Sequence, residues 1–301
     1  MNSTFFDFGD CIDPSTEFVI FGIPWDELST ISLPNSEIGP ESIRKVSQNI
    51  GFTTELGKDI FKLNVSDIGD IEIEKANLKQ NLKEIEAFIQ RIYESKKKLI
   101  PVMIGGDHFC SYPVVKAIGD RYAQKGKFGA LFFDAHLDFY KEWDGKEYSH
   151  ATVSHNVYEL EYINNDNFLL AGCRDIDNIE LDNAKQEDIC YLPAYKLSEL
   201  GLREYGTQII NFFTQNDIES LYVSIDVDVV DPSNAPGTGY PIPGGLSYRA
   251  LWQILRELVK NVNIIGFDLV EVAPNLDHNN LTCNLAAKTI IEFISFISDK
   301  L

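Results

Sequence analysis

The segment Asp134-Ala135-His136-Leu137-Asp138 carries three side chains that can bind a metal ion, and it directly follows the apolar run 128–133. Side chains alternate between the two faces of an extended chain, so we expect Asp134, His136 and Asp138 to point the same way. Burying three such polar groups beside an apolar strand is costly unless something pairs with them. The spacing therefore predicts a cation-binding site at this point of the chain.

Two further polar segments follow apolar runs in the same way. The run 220–225 leads into Asp226-Val227-Asp228, whose two carboxylates would again share one face of an extended chain. The run 98–104 leads into Gly105-Gly106-Asp107-His108, where the glycines permit a tight turn and close backbone approach. Taken singly, the aspartate pair is more typical of a cap or turn, and the glycine pair of a plain turn. Their common position after apolar runs favours one shared site.

Such a cluster requires positive charge at its centre, because converging carboxylates repel one another strongly in a low dielectric. Mixed imidazole and carboxylate ligands without thiolate favour Mn²⁺, Fe²⁺, Co²⁺ or Zn²⁺ over Ca²⁺ or Mg²⁺. Six candidate ligands are too many for one open catalytic ion. We therefore expect two ions about 3.5–4 Å apart, which would lower the pKa of a bridging water toward neutral and supply a hydroxide nucleophile.

The strands and helices that could position these segments alternate along the chain, which is typical of parallel strands covered on both faces by crossover helices. Eight strands are predicted, at 17–24, 62–68, 98–104, 128–133, 167–171, 189–192, 220–225 and 263–270. Helices are predicted at 77–97, 247–260 and 281–297, with Ser247 as the N-cap of the second. The predicted fold class is α/β, a three-layer α/β/α arrangement with a mainly parallel sheet of about eight strands. Residues 1–301 should form a single domain.

The charge balance indicates the kind of ligand. The chain has 301 residues with 46 acidic and 26 basic side chains, a formal net charge of −20. Such a surplus repels phosphate backbones and anionic lipids, so we expect no nucleic-acid or membrane partner, and a charged ligand should be a cation. Five scattered cysteines indicate a reduced, cytoplasmic setting. We identify no secretory signal and no apolar run of membrane-spanning length.

Three motifs carry a resemblance to a known family. They are Gly105-Gly106-Asp107-His108, the segment 134–138, and the segment 224–239, SIDVDVVDPSNAPGTG, which continues through residues 241–245. In this order they resemble the signatures of the ureohydrolases of the arginase superfamily, and most of all those of its agmatinases. The resemblance spans most of the chain. It implies an arginase-like fold, two Mn²⁺ ions per subunit and a homo-oligomer, commonly a trimer or hexamer.

The resemblance also implies a set of metal ligands. His108 and Asp138 would bind only the first ion, and His136 and Asp228 would bind only the second. Asp134 and Asp226 would bridge the two ions. Asp138 would in addition orient the metal-bridging hydroxide for attack.

Two more residues acquire an implied role in catalysis. His150 lies in Ser149-His150-Ala151-Thr152, where alanine replaces the glycine that usually follows the family's proton-shuttling histidine. Glu271 follows the run 263–270 and corresponds to the family's glutamate that pairs with the guanidinium. The alternatives are a histidine at a helix N-terminus without a chemical task, and a surface glutamate just past a strand.

The resemblance implies that the substrate is agmatine, a small cationic guanidine, cleaved to putrescine and urea. The segment 139–148 lacks the hydroxyl-rich run with which arginases bind an α-carboxylate, and Ala273 stands where arginases usually place asparagine before proline. Asp177 lies in a segment similar to one that arginases place near the α-amino group of their substrate. It is a candidate for binding the distal ammonium, although it could equally cap the helix that follows.

Two alternatives stay open. An arginase or another guanidino-acid amidinohydrolase would use the same chemistry on a different substrate. A non-catalytic metal-binding or polyamine-binding protein would keep the ligands without turnover. The entrance region departs from the family, since residues 32–35, SLPN, replace an Arg-Pro-Gly sequence.

Overall fold

The eight predicted strands form one parallel sheet. The structure is a computed structural model that describes residues 4–28, 35–96 and 98–301. The strands are β1 (Phe18–Ile23), β2 (Val65–Asp70), β3 (Ile100–Gly105), β4 (Phe128–Phe133), β5 (Phe168–Ala171), β6 (Cys190–Leu192), β7 (Ser220–Asp226) and β8 (Ile264–Val270). Their order across the sheet is β2-β1-β3-β8-β7-β4-β5-β6, and every neighbouring pair is parallel. The predicted parallel sheet is confirmed.

Helices cover both faces of this sheet. They are α1 (Gly39–Ser47), α2 (Leu78–Ser95), α3 (Ser111–Tyr122), α4 (Val153–Tyr158), α5 (Asn178–Gln186), α6 (Tyr195–Leu200), α7 (Leu202–Gln215), α8 (Tyr248–Asn261) and α9 (Leu281–Ser298). Buried side chains form two apolar clusters, one shared with α1, α7, α8 and α9 and the other with α2 to α5. Along β4, Leu131 and Phe133 belong to the first cluster and Ala130 and Phe132 to the second, as the period of two requires. The three-layer α/β/α class is therefore confirmed.

The predicted helices correspond to α2, α8 and α9. Ser247 is the N-cap of α8, because its Oγ accepts a hydrogen bond from N of Ala250 (3.1 Å). The structure has α2 end at Ser95, and residue 97, the predicted end, lies outside the described residues.

Helix α9 is apolar enough to resemble a membrane span. It is 18 residues long with a mean hydropathy of 1.3, a segment of membrane-spanning length that the sequence prediction overlooked. However, 72% of it is buried inside the protein, where α9 packs against α1, α8 and β8. Such burial is typical of a core helix, so α9 gives no support for a membrane partner.

The four central strands of the sheet end where the polar motifs begin. β3, β8, β7 and β4 are consecutive neighbours, and all run in the same direction. His108 follows β3, Glu271 follows β8, Asp226 ends β7 and Asp134 follows β4. Parallel strands bring their carboxyl ends to one edge of the sheet, so the motifs meet there on rigid elements.

A buried ion pair ties α1 to the edge strand β2. Arg44 on α1 is 4% exposed and donates to Asp67 from Nε (2.7 Å) and from Nη2 (2.9 Å). Arg44 also contacts Asp70, and the buried Asp67 carboxylate accepts a hydrogen bond from N of Phe5 (2.7 Å). Removing one partner of such a pair leaves the other charge buried without compensation.

Asp67→Ala should therefore lower the free energy of unfolding by roughly 3–5 kcal/mol, because Arg44 loses its main buried partner. Asp299→Ala, which breaks the more exposed pair with Lys58, should change it by about 1 kcal/mol or less. Urea denaturation followed by circular dichroism measures both values. An Asp67→Ala protein as stable as the Asp299→Ala protein would contradict this role of the pair.

Candidate functional site

Histidine and aspartate side chains from three strand ends meet in two overlapping groups. One group consists of His108, Asp134 and Asp138, and the other of Asp134, His136 and Asp228. Within each group the ligand-type atoms lie within 4.8 Å of one another. Asp134 belongs to both groups, with Oδ2 2.8 Å from His108 Nδ1 and Oδ1 3.4 Å from His136 Nδ1. The geometry offers two adjacent cation sites that share one carboxylate.

The backbone that joins these residues is not the extended chain expected from the sequence. β4 ends at Phe133, and N of His136 turns back to donate to Asp134 Oδ1 (2.6 Å). Asp138 takes a left-handed conformation with φ of 49°, which is uncommon for a residue other than glycine. Asp228 likewise lies in a 3₁₀ turn after β7. The predicted alternation along an extended chain is therefore wrong, and turns direct the side chains toward one another.

Asp226 lies beside the His108 group but outside both tight groups. Its Oδ1 accepts a hydrogen bond from N of Asp228 (2.8 Å), which caps the short 3₁₀ turn. Its Oδ2 lies 3.4 Å from His108 Nδ1. One oxygen of Asp226 is thus close to the first group, and the bridging role of this residue stays a prediction.

The donor set of the cluster suits divalent cations. Asp134 Oδ2 is buried and accepts no hydrogen bond of good geometry, although it lies near the His108 ring. Burial opposes charge on His108, yet Asp134 and Asp138 together outweigh it and raise the pKa of the imidazole well above its usual value. Burial, and next the charge of Asp228, raise the pKa of Asp226 well above its usual range. Carboxylates held this close need positive charge between them, and imidazole with carboxylate fits Mn²⁺, Fe²⁺, Co²⁺ or Zn²⁺.

A buried chain of hydrogen bonds orients the ring of His108. Its Nε2 lies 3.1 Å from Ser224 Oγ, and Ser224 Oγ donates to Asp268 Oδ1 (2.6 Å). The hydroxyl of Tyr222 donates to the other oxygen of Asp268 (2.7 Å). Nδ1 of His108 therefore faces the carboxylates. This is expected for a metal-binding histidine whose other ring nitrogen is held by a hydrogen bond. Asp268 is not among the residues predicted from the sequence, although an acid within the apolar run 263–270 is a signal that could have found it.

Glu271 approaches the cluster through the backbone of His108. Its Oε1 accepts a hydrogen bond from N of His108 (2.8 Å), and the residue is 8% exposed. Glu271 has a left-handed φ of 61° just after β8. Burial, and next the charge of Asp107, raise the pKa of Glu271 well above its usual value. The alternative of a surface glutamate is therefore wrong.

A cavity of about 360 Å³ opens beside the cluster. Its lining is acidic, aromatic and imidazole in character, with the residues His136, Asp138, Tyr140, Trp143, His150, Ala151, Asp175, Ile176, Asp177, Glu180 and Tyr240. Four of these side chains are carboxylates, and no described lysine or arginine is among them. The cavity thus connects two candidate metal ligands, His136 and Asp138, to an acidic distal wall formed by Asp175, Asp177 and Glu180. Such a cavity suits a cationic substrate. Glu271 is not one of its lining residues.

His150 faces this cavity with a defined ring orientation. Its Nδ1 lies 3.1 Å from O of Leu28 and 3.3 Å from Ser149 Oγ. A carbonyl acceptor at Nδ1 assigns the proton to that nitrogen and leaves Nε2 as the basic one. Burial lowers the pKa of His150 to about 4, so the imidazole is neutral near pH 7. His150 also begins a 3₁₀ turn capped by Ser149, so it satisfies the helix-terminus interpretation as well.

Asp177 both lines the cavity and caps the following helix. Its Oδ1 accepts a hydrogen bond from N of Ile179 (2.7 Å), and α5 begins at Asn178. Glu180 completes the capping box by accepting a hydrogen bond from N of Asp177 (3.2 Å). The capping alternative is therefore confirmed, and it leaves Asp177 in the cavity wall. Burial, and next the charge of Asp138, raise the pKa of Glu180 to about 8.

No sequence signal pointed to Tyr240 as part of the cavity wall. It follows the Pro-Gly-Thr-Gly segment, and its ring centroid lies 5.8 Å from that of His136 and 6.0 Å from that of His150. A single tyrosine in a loop has no periodicity from which its partners could be deduced.

The entrance segment 32–35 departs from the family sequence. Residues 32–34 of this segment lie outside the described residues.

Known proteins are similar to this chain in sequence and in fold. The model of the arginase family matches residues 16–295. The agmatinase of Bacillus subtilis (strain 168) is 34% identical over 279 residues, covering 92% of this chain and 90% of that protein. The agmatinase of Bacillus anthracis is 30% identical over 286 residues, covering 93% and 91%. The solved proclavaminate amidino hydrolase of Streptomyces clavuligerus has a TM-score of 0.86 at 28% identity, covering 99% of this chain and 97% of that chain. The chain therefore belongs to the arginase family, the ureohydrolase superfamily that its motifs predict.

Proposed function

We propose that the protein is a binuclear manganese hydrolase that cleaves the guanidinium group of agmatine to putrescine and urea. The observation that carries this proposal is the cavity beside the cluster, whose four carboxylates meet no lysine or arginine among the described lining residues. Agmatinases of two Bacillus species are similar to this chain over most of its length. Agmatine is cationic at both ends, so its distal ammonium would match the acidic wall.

Charge also ranks the alternative substrates. Arginine and guanidinobutyrate carry a carboxylate, which would enter beside Asp175, Asp177 and Glu180 without a basic partner among the described lining residues. Two like charges about 4 Å apart repel by about 4 kcal/mol at an effective dielectric of 20. An arginase or guanidino-acid amidinohydrolase is therefore the second candidate.

The proposed mechanism assigns one task to each residue. The metal ions, when bound, would lower the pKa of a water between them toward neutral and so supply the nucleophile. Asp138, which lines the cavity, would orient that nucleophile toward the guanidinium carbon. His150 Nε2, the basic nitrogen of the neutral ring, would first accept a proton released by the attacking nucleophile and then donate it to the leaving amine, because Nδ1 donates to a backbone carbonyl. Glu271 would pair with the guanidinium through Oε2, since Oε1 accepts a hydrogen bond from the backbone.

The distal end of the substrate would be held by Asp177. Its carboxylate lines the cavity and is fixed by the capping box of α5, which Glu180 completes. Fixed carboxylates bind a cation without first losing side-chain entropy, which favours both affinity and selectivity.

The setting of the protein is part of the same proposal. All five cysteines are free, which suits a reduced, cytoplasmic compartment. A single domain over residues 1–301 is consistent with the one continuous sheet. A homo-oligomer of three or six subunits is proposed on the family resemblance.

Substrate profiling tests the proposal. The Mn²⁺-loaded protein should release urea from agmatine, and EDTA should abolish the release because the nucleophile depends on the metal. Arginine and guanidinobutyrate, assayed in parallel, should give kcat/KM values lower by roughly 100-fold or more, because their carboxylate meets the acidic wall. Urea released mainly from arginine would support the metal-dependent hydrolase but contradict agmatine as its substrate. No urea from any of the three, with two metals bound, would favour the metal-binding or polyamine-binding alternative.

Metal content tests the proposed ligands. Asp134→Asn and Asp226→Asn should each lower bound Mn²⁺ and turnover by at least about tenfold, because each removes a carboxylate from the cluster. The matched control is Asp217→Asn, since this aspartate is exposed and its left-handed conformation suits asparagine. Elemental analysis after dialysis and urea release give the two values. Full metal content in the Asp226→Asn protein would rule out a bridging role for Asp226.

His150→Asn should lower kcat by roughly 10²–10⁴ without loss of metal, if this histidine transfers the proton. The matched control is His155→Asn, because His155 contacts Phe139 and Glu159 but does not line the cavity. Steady-state kinetics with parallel metal analysis measure both variants. Equal kcat values for the two proteins would remove His150 from the mechanism.

A further inference from the structure

The ring of Tyr240 lies close to two imidazoles of the candidate site. Its ring is edge-on to that of His136, with centroids 5.8 Å apart and an interplanar angle of 74°. It is nearly parallel to the ring of His150, with centroids 6.0 Å apart and an angle of 11°. Tyr240 lines the cavity and is 38% exposed. The ring of Tyr240 is therefore an aromatic part of the cavity lining close to His136, a candidate metal ligand.

Hydrogen bonds on both sides of Tyr240 fix its loop. Arg174 donates to O of Ile242 from Nε (3.0 Å) and from Nη2 (2.7 Å). The same Nη2 donates to O of Asp228 (2.6 Å), a candidate metal ligand. On the other side of the tyrosine, N of Gly237 donates to a threonine hydroxyl of α9 (2.7 Å). The backbone on both sides of Tyr240 is thus held in a fixed relation to the cluster.

Gly237 is required for this arrangement. A Cβ atom at this position would lie 2.6 Å from the Cβ of Asp277 and 2.9 Å from its Cα. Only glycine lets the loop approach the segment that precedes α9 this closely. The close packing supports a loop that presents Tyr240 as a fixed wall.

We propose that Tyr240 is a specificity-determining residue that binds the guanidinium group of the substrate against the face of its ring. The inference deepens the proposed function and rests on it, because it takes a guanidine as the substrate. A planar guanidinium is attracted to an aromatic face by the ring quadrupole, and the attraction grows as water is excluded. Tyr240 thus selects the guanidinium end of the substrate, while the acidic wall selects the distal ammonium.

The Tyr240 ring and the acids of the distal wall would recognise different parts of the substrate. The carboxylates of the distal wall would bind any cation, including a simple alkylamine. An aromatic face beside the cluster favours a flat, delocalised cation over a compact ammonium. Together the two walls distinguish a guanidino-amine from a diamine such as the product putrescine.

Two substitutions of Tyr240 separate the aromatic face from mere apolar bulk. Tyr240→Phe keeps the ring and should leave KM for agmatine within about twofold of the wild-type value. Tyr240→Leu keeps apolar volume but removes the ring, and it should raise KM by roughly threefold to thirtyfold. The value of kcat should change less, because the contact is made with the bound substrate as well as with the transition state. Steady-state kinetics and calorimetric titration of the Mn²⁺-loaded proteins with agmatine measure these effects.

The matched control is Tyr195→Leu, because Tyr195 is 58% exposed on α6 and does not line the cavity. Its KM and metal content should equal those of the wild-type protein. A Tyr240→Leu protein with wild-type KM and wild-type agmatine affinity would overturn the role of Tyr240 while leaving the proposed function intact. If the wild-type protein hydrolyses a different guanidine, the same comparison is made with that compound. A wild-type protein that neither binds nor hydrolyses any guanidine overturns both proposals.

Discussion

Repulsion between carboxylates that lie close together constrains the structure at the carboxyl ends of the central strands. Asp134, Asp138, Asp226 and Asp228 gather at the ends of two adjacent strands. Among the described residues, the side chains that pair with these carboxylates are two imidazoles. In the metal-free protein the response is protonation: burial, and next the charge of Asp134, raise the pKa of Asp138 to about 7. Divalent ions would remove this need, because they stabilise the ionised carboxylates. The cluster and its cations therefore stabilise each other, and a fold that gathers these groups presupposes the cation.

The sheet supplies the rigidity that holds the cluster together. Its four central strands are covered on both faces by apolar clusters, so their ends cannot separate without disrupting the core. This rigidity permits left-handed conformations at Asp138 (φ 49°) and Glu271 (φ 61°), each at a cost of about 1–3 kcal/mol. Such strain persists only where surrounding contacts determine the conformation. For Glu271 these contacts are hydrogen bonds to O of Gly106 (2.8 Å) and from N of His108 (2.8 Å).

Most of the fold could be predicted from the sequence, because continuous apolar runs mark strands that are buried on both faces. The run at 128–133 ends as β4 ends, and polar residues follow at once. The turns at the strand ends could not be predicted. The alternation of side chains along a strand does not indicate where the chain turns, or that Asp138 has a left-handed backbone conformation. Asp268 and Tyr240 were missed for a different reason. Their contacts, with Ser224 and His150, are made by residues far away in the sequence, and only the folded chain brings them together.

The cavity outside the cluster follows the same electrostatic logic. If cations offset the inner carboxylates, the acids of the distal wall still have no described lysine or arginine in the lining to offset a negative charge. Asp177 and Glu180 form the capping box of α5, where the helix N-terminus favours negative charge. The fold therefore keeps these acids in place whether or not a ligand is bound, and a distal ammonium on the substrate would complete the charge balance. Replacing the acids to admit a carboxylate would also remove the cap of α5, so selectivity against guanidino acids is tied to the stability of the helix itself.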